Sequence, residues 1–355
     1  MPSVPTGWAR VWSLQGSALP PHLVLLARAL GICVVLREWW HPAGVFLPFV
    51  GDAEATGSAV TWSIRLTVLG LGLLLALNRL VAPSAFALGT VLLLQIAGSR
   101  VYYANNRTFT ALVLVLVGLC ATTKLPLVRY QVVLLYAAAA LNKALDTDWR
   151  SGRYLDAFAA TSSILDRTLH AVPGLETRTS AQLLSCAVIL LEVALALAFC
   201  VPRLFPFAIF TGIAYHTGLV LTAQRTFGLF WYATAVSYLA FVRWPSAPLD
   251  VHMNPGRRGH RFLRTVLSRF DPDGGLAWHD SVGPFRTGAG RSGVVALLAA
   301  CVRLPAFLLG VLGLLALPHA RYDVACAGLV LLALVVFAAG YVRGLRRPRM
   351  PVLVS

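Results

Sequence analysis

Long apolar blocks separated by short polar stretches run along most of the chain, without the strict alternation that marks a half-buried strand. A bilayer core about 30 Å thick needs about 20 mostly apolar residues for each crossing helix. On that measure, spans fall near 22–40, 62–81, 83–99, 109–123, 128–145, 180–201, 204–223, 226–243, 293–317 and 323–342. The pattern predicts an all-α fold, a polytopic transmembrane helical bundle of about ten spans with a small cytoplasmic insertion. The third, fourth and fifth spans are short or closely spaced, compatible with tilted or re-entrant helices. Arg303 and Pro305 interrupt the ninth, which could instead form two interfacial half-helices.

Composition narrows the class further. Of 355 residues, 58% are hydrophobic and only 12% charged, with mean hydropathy +0.73. Soluble domains carry about 25% charged residues, so this chain has too little polar surface to cover a water-soluble globule. Its net charge of +16 would ordinarily suggest nucleic acid. Here the arginines sit at the ends of apolar blocks and in one late loop, which suits anionic lipid headgroups instead. The expected partner is membrane lipid, not nucleic acid, and nothing in the pattern names a protein partner. Six cysteines lie within or beside apolar runs without a CxxC pair, so neither a disulfide framework nor a metal site is expected. The first twenty residues lack the apolar core and cleavage site of a signal peptide, which leaves the first helix as an uncleaved insertion signal.

Orientation follows from where the arginines and lysines fall. With the N-terminus in the cytoplasm, Arg10, Arg79, Lys124, Arg129, Arg203, Arg243, the arginines of 257–291 and those of the tail share one side. That side then carries about twice the positive charge of the other, which predicts cytoplasmic N- and C-termini in a bacterial cell membrane. The expected organisation is a membrane domain over 15–245, a basic cytoplasmic loop over 246–292 and a C-terminal hydrophobic hairpin over 293–345. The external loop, 146–179, can lie as amphipathic helices on the membrane face. The cytoplasmic loop reads as a short basic helix between two possible strands.

An ionisable group inside the bilayer costs about 2.5–3.5 kcal/mol on insertion scales, so each one asks for a reason. Arg28, Arg65 and the Arg37–Glu38 pair suit structural roles, because arginine snorkels readily. Lys143 stands apart as one of only two lysines, the other being Lys124. Lysine can lose its proton when desolvated, whereas arginine effectively cannot, so Lys143 is a plausible general base. It is equally plausible as a snorkelling anchor paired with Asp146. Glu192, midway along an apolar span, needs a partner or a proton. His216, in FTGIAYHTGLVLT, could pair with it or be a satisfied core residue. In YYANNRT, Asn106 and Arg107 could donate to an anionic or quinone-like oxygen, or cap the following helix.

Three stretches resemble one family. LLYAAAALNKALDTDWRSGRYL is similar to the signature of the HTTM (horizontally transferred transmembrane) domain, the membrane domain of vitamin K-dependent gamma-carboxylases and their bacterial relatives. Its lysine, Asp-Trp and glycine correspond here to Lys143, Asp148, Trp149 and Gly152. FTGIAYHTGLVLTAQRTFGLFWYATAVSYLAF resembles the family's late helix with a central histidine, here His216. YYANNRTF resembles a segment that normally reads Asn-Asn-His. Together the matches cover roughly residues 15 to 245.

For a true carboxylase, the resemblance implies that the lysine deprotonates reduced vitamin K (menaquinone), whose oxygenated form then takes a glutamate γ-proton so that carbon dioxide can add. It implies Lys143, His216, Arg107 and Asn106 as catalytic residues, with Trp149 and Glu192 in contact with the cofactor. This sequence departs from the pattern in three ways. Arg107 stands where the family has histidine, and it cannot exchange protons near neutral pH. Lys143 precedes Trp149 by six residues instead of five, which turns a helical side chain by about 100°. The large luminal domain of the animal enzymes is missing. Peptide carboxylation is therefore not expected. Two readings remain: a divergent membrane enzyme acting on a quinone or lipid, and a non-catalytic scaffold or transporter-like protein with a decayed site. The segment from Leu249 also resembles a DCC thiol-oxidoreductase domain, but no cysteine stands at 254–259, which implies a degenerate fragment.

Overall fold

The computed structural model describes residues 7–40, 53–98, 105–171, 173–222 and 228–316, with the side chains of 36–40, 53–58, 61, 228–229 and 312–316 outside the description. The readings of Arg37, Glu38 and the last span, 323–342, lie outside the described residues. The chain is mostly helical, as its apolar blocks predict. It divides into two compact units. The first comprises Met1–Ala138 with Phe227–Ala320, and the second Ala139–Thr226 with Arg321–Ser355.

In the first unit, α1 (Trp8–Trp12) leads into α2 (Pro21–Trp40), which packs among α3 (Ala53–Ala76), α4 (Val81–Gly98) and α5 (Asn105–Thr123). Residues Val24 to Ala27 of α2 are wholly buried, and Arg28 follows them into the interior at 1% exposure. The two terminal nitrogens of Arg28 bond only backbone, while its Nε meets no acceptor among the described residues. They donate to the carbonyls of Ser13 (3.0 Å), Val11 and Ala76 (2.8 Å), fastening the N-terminal segment to the end of α3. Asn78 adds donors to Ser13 O and Gln15 O. Arg28 therefore acts as a fastener.

α4 and α5 approach each other closely through two glycines, one on each helix. A Cβ at Gly89 would lie 2.6 Å from Ala111 O, and one at Gly118 would lie 2.5 Å from Phe86 Cβ. Small residues at a helix contact let backbones approach where the surrounding solvent is itself apolar. α6 (Leu127–Leu145) begins in this unit and crosses into the second. Within the first, Tyr136 of α6 hydrogen-bonds Tyr238, which lies in the 3-10 turn Tyr238–Phe241 at the end of α12 (Gly228–Ser237).

After α12 the helical pattern gives way to a small α/β module. β1 (Leu249–Met253), α13 (Arg258–Arg269) and β2 (Leu276–Asp280) form a parallel β–α–β unit, with Leu249 opposite Leu276. β3 (Arg286–Thr287) adds antiparallel to the other edge of β1, giving the order β2-β1-β3. The expected basic helix between two strands is present. α14 (Gly293–Val302) and α15 (Pro305–Ala316) follow, bent by 87° where Arg303 and Pro305 interrupt the pattern. They are two half-helices and not one straight span.

The second unit holds the C-terminal end of α6, then the short helices α7 (Thr147–Arg150), α8 (Arg153–Ala159) and α9 (Ser163–Leu169). The long helices α10 (Thr177–Ala198) and α11 (Phe205–Thr222) complete it. The short helices bury Leu155, Ala159, Leu165 and Leu169 against Ala181 of α10.

Among the described residues, four helices are long and apolar enough to cross a membrane: α4, α5, α10 and α11. A fifth is reached if the bent α14–α15 pair counts as one. The expected ten is not shown among the described residues. α2 and α3 run 20 and 24 residues, about 30 and 36 Å at 1.5 Å per residue, and their described apolar stretches are Pro21–Val35 and Trp62–Ala76. α6 is long enough, but Arg129, Gln131, Asn142 and Lys143 dilute its apolar character. α10 shows the reversed polarity of a helix in lipid. Leu190 is 68% exposed while Glu192, half a turn away, is 3% exposed.

Candidate functional site

Lys143 sits two residues before the end of α6, where the helix yields to a sharp turn. Asp146 makes that turn: its carboxylate accepts the Asp148 N–H at 2.8 Å and caps α7. Its side chain is thus spent on backbone, and the partner of Lys143 comes from a different helix. Lys143 Nζ donates to both carboxylate oxygens of Glu192 on α10, at 2.8 and 2.9 Å. A carboxylate buried in an apolar helix must find a counter-charge, and here it does.

Glu192 has a second partner. The hydroxyl of Tyr215, on α11, donates to Oε1 at 2.7 Å. The carboxylate therefore gathers three hydrogen bonds from two flanking helices, one from a neutral hydroxyl and two from an ammonium. Charge-assisted bonds of this kind are about twice as strong as neutral ones. An ammonium has three N–H donors, and Glu192 takes two. Among the described residues no further acceptor meets the third. The Lys143 side chain keeps 18% of its surface, against 4% for Glu192, so it forms the accessible side of the pair.

Trp149 supplies a wall. Its ring lies 5.1 Å from Lys143 Nζ, in cation–π range, and stacks on Tyr154 at 4.5 Å with the planes 19° apart. Phe158 continues the stack beyond Tyr154. Gly152 holds the turn that places Trp149. Its φ is +74°, and a Cβ there would stand 2.4 Å from the Gln182 nitrogen of α10. Only glycine fits both the left-handed backbone and the contact. Asp146, which is not the aspartate of the Lys143–Asp148–Trp149–Gly152 pattern, and Gly152 together shape the turn that returns Trp149 to Lys143.

His216 is buried in α11 beside Tyr215, with their ring centroids 5.1 Å apart, and close enough to Lys143 to feel its charge. The partners of Glu192 are Lys143 and Tyr215, not His216. Asn106 and Arg107 belong to the first unit, in the opening turn of α5, where Asn106 Oδ1 accepts the Arg107 backbone N–H at 2.7 Å. Of the sequence-predicted residues, Lys143, Trp149 and Glu192 come together within the second unit, with His216 adjacent. Tyr215 was missed by sequence reasoning. A tyrosine in an apolar helix looks like packing, and only the carboxylate it meets reveals its role. On the same face of α10, two turns before Glu192, the Ser185 hydroxyl is fully buried without a hydrogen-bond partner among the described residues.

No family model matches the chain, and neither a curated protein nor a solved structure is significantly similar to it.

Proposed function

We propose that this chain is an HTTM-type integral membrane protein that binds the headgroup of a quinone-like lipid at the Lys143–Glu192 pair. The observation that carries the reading is the ammonium with two of its three donors used: Lys143 is held by Glu192, keeps one N–H in reserve, and is walled by an aromatic ring. A planar, oxygen-bearing ring fits that combination, with the reserve N–H as donor and Trp149 as a flat neighbour. The basic-side distribution of arginines supports a bacterial cell membrane with both termini cytoplasmic.

The pair can also handle a proton. Moving one from Nζ to the Glu192 carboxylate turns two buried charges into two neutral groups, at no change in net charge. A low dielectric lowers the cost of that exchange. The neutral amine can then accept a proton from an acidic hydroxyl, and the resulting ammonium holds the oxyanion. Tyr215 steadies Glu192 in either form, as donor to Oε1. In the family this site resembles, reduced vitamin K supplies the oxygen chemistry. Arg107, in the place of the family histidine, gives no proton relay, so deprotonation here rests on Lys143 and Glu192 alone.

The experiment is turnover in membranes containing the protein, supplied with reduced menaquinone, oxygen and bicarbonate, with the quinone epoxide detected by mass spectrometry. Epoxide from the wild type but not from Lys143→Ala or Lys143→Arg supports deprotonation by Lys143. Arginine keeps the ion pair but cannot give up its proton. The second reading, a non-catalytic membrane scaffold, is favoured by the same carboxylate being saturated by two helices, as a fastener would be. Absence of both epoxide and quinone binding, with the protein folded, selects it.

A further inference from the structure

α13 buries one side only. Leu267 is enclosed with Val251 and Met253 of β1, and Leu263 and Val266 are half-buried beside it. Arg258, Arg261, Phe262 and Arg269 occupy the opposite side, all exposed, within an arc of about 100° on the helical wheel. Phe262, amid the arginines, is 69% exposed. Arg264, on the flank, is committed within the module, 3.3 Å from Asp280 Oδ1 and stacked over Trp278. Among the described residues, no carboxylate pairs with Arg258, Arg261 or Arg269.

The neighbouring helix indicates what this basic face meets. Ala296 and Ala300 of α14 share the core formed by Val251, Met253 and Leu267, so α13 and α14 cover the same side of the sheet. Both therefore turn their outer faces away from it. On α14 that face is apolar, with Val294 72% and Val295 47% exposed, in a helix that carries no charge. Such a helix needs lipid around it. A basic face bearing one exposed aromatic, one layer-mate away from a lipid-facing helix, has the composition of a segment at headgroup level. Guanidinium groups match lipid phosphates, and phenylalanine enters the acyl boundary.

We propose that the outer face of α13 docks on the anionic headgroup surface of the bilayer that holds the apolar helices. The module is then an electrostatic foot, and its seating depends on lipid charge.

The test uses the full chain carrying Phe262→Trp, reconstituted in vesicles of phosphatidylcholine alone or with phosphatidylglycerol, including brominated phosphatidylglycerol. The emission added by the new tryptophan is the difference from the parent protein. It is expected to shift to the blue and to be quenched by the brominated lipid. Both effects should be lost at high salt and when Arg258, Arg261 and Arg269 are replaced by glutamine. Replacement of the same three by lysine should retain them, which separates charge from misfolding. Emission unchanged by phosphatidylglycerol, or quenching undiminished in the glutamine variant, overturns the proposal.

Discussion

Lys143 and Glu192, 49 positions apart, meet with both carboxylate oxygens within 2.9 Å of one ammonium nitrogen. A pair this buried attracts strongly and is expensive to halve. Lys143→Met strands a carboxylate with one tyrosine, and Glu192→Gln leaves an ammonium facing an amide. Removing one member of a buried pair costs about 3–5 kcal/mol, while replacing both with apolar groups is often near neutral. Thermal unfolding in detergent should therefore show each single variant well below the wild type and Lys143→Met/Glu192→Leu above both. Additive losses would mean that the contact is incidental.

Tyr215→Phe removes the hydroxyl that donates to Glu192 and keeps the ring. The expected loss is about 1.5–3 kcal/mol, smaller than for Glu192→Gln. In a double-mutant cycle with Glu192→Gln the two losses should fall short of their sum, because they act through one carboxylate. Independent, additive effects would show that the Tyr215 hydroxyl bonds elsewhere.

Much of this architecture was legible in the chain's hydropathy, because a helix in lipid needs only to be long and apolar. The bend at Arg303–Pro305 was visible for the same reason: a charge and a missing N–H in one turn cannot be hidden. The number of crossings is shown only in part: among the described residues four or five apolar blocks form helices long and apolar enough to span. The need of Glu192 for a partner followed from electrostatics alone. Which partner it took did not: the sequence offered His216 to Glu192 and Asp146 to Lys143, and tertiary packing joined Lys143 to Glu192 instead. Tyr215 left no signal, and the capping role of Asp146 became clear only with the turn it makes.

Gly152 carries two constraints at once, a left-handed φ and a backbone contact with α10. Gly152→Ala should destabilise by more than 1 kcal/mol, roughly the strain of a β-carbon at positive φ plus the displaced contact. The local consequence is more specific. α7 and α8 should lift from α10, so limited proteolysis should cut within 146–171 faster than in the wild type. The contribution of Trp149 to the near-ultraviolet dichroism should fall as its ring leaves Tyr154 and Lys143. An unchanged spectrum and digestion pattern would show that the turn tolerates a side chain.

Asp271, in the α13–β2 turn, gives the small module a pH dependence. Burial raises its carboxyl above the usual 3.8, and the charge of Asp273 adds to the effect, while the Gly275 and Leu276 N–H groups pull the other way by bonding the carboxylate at 2.7 Å. The folded module thus holds the proton more tightly than the unfolded chain. Its contribution to stability is full below the ordinary value of 3.8 and is lost as pH rises through the raised folded value. Hydrogen exchange of the β1 and β2 amides should accordingly slow, relative to intrinsic rates, as the pH falls through that window. Asp271→Asn keeps the Oδ1 acceptor for Gly275 but does not titrate, and should flatten the dependence. Amide protection that instead weakens as the pH falls, and does so only in the wild type, would mean that the two backbone bonds outweigh burial and that Asp271 favours its charged form.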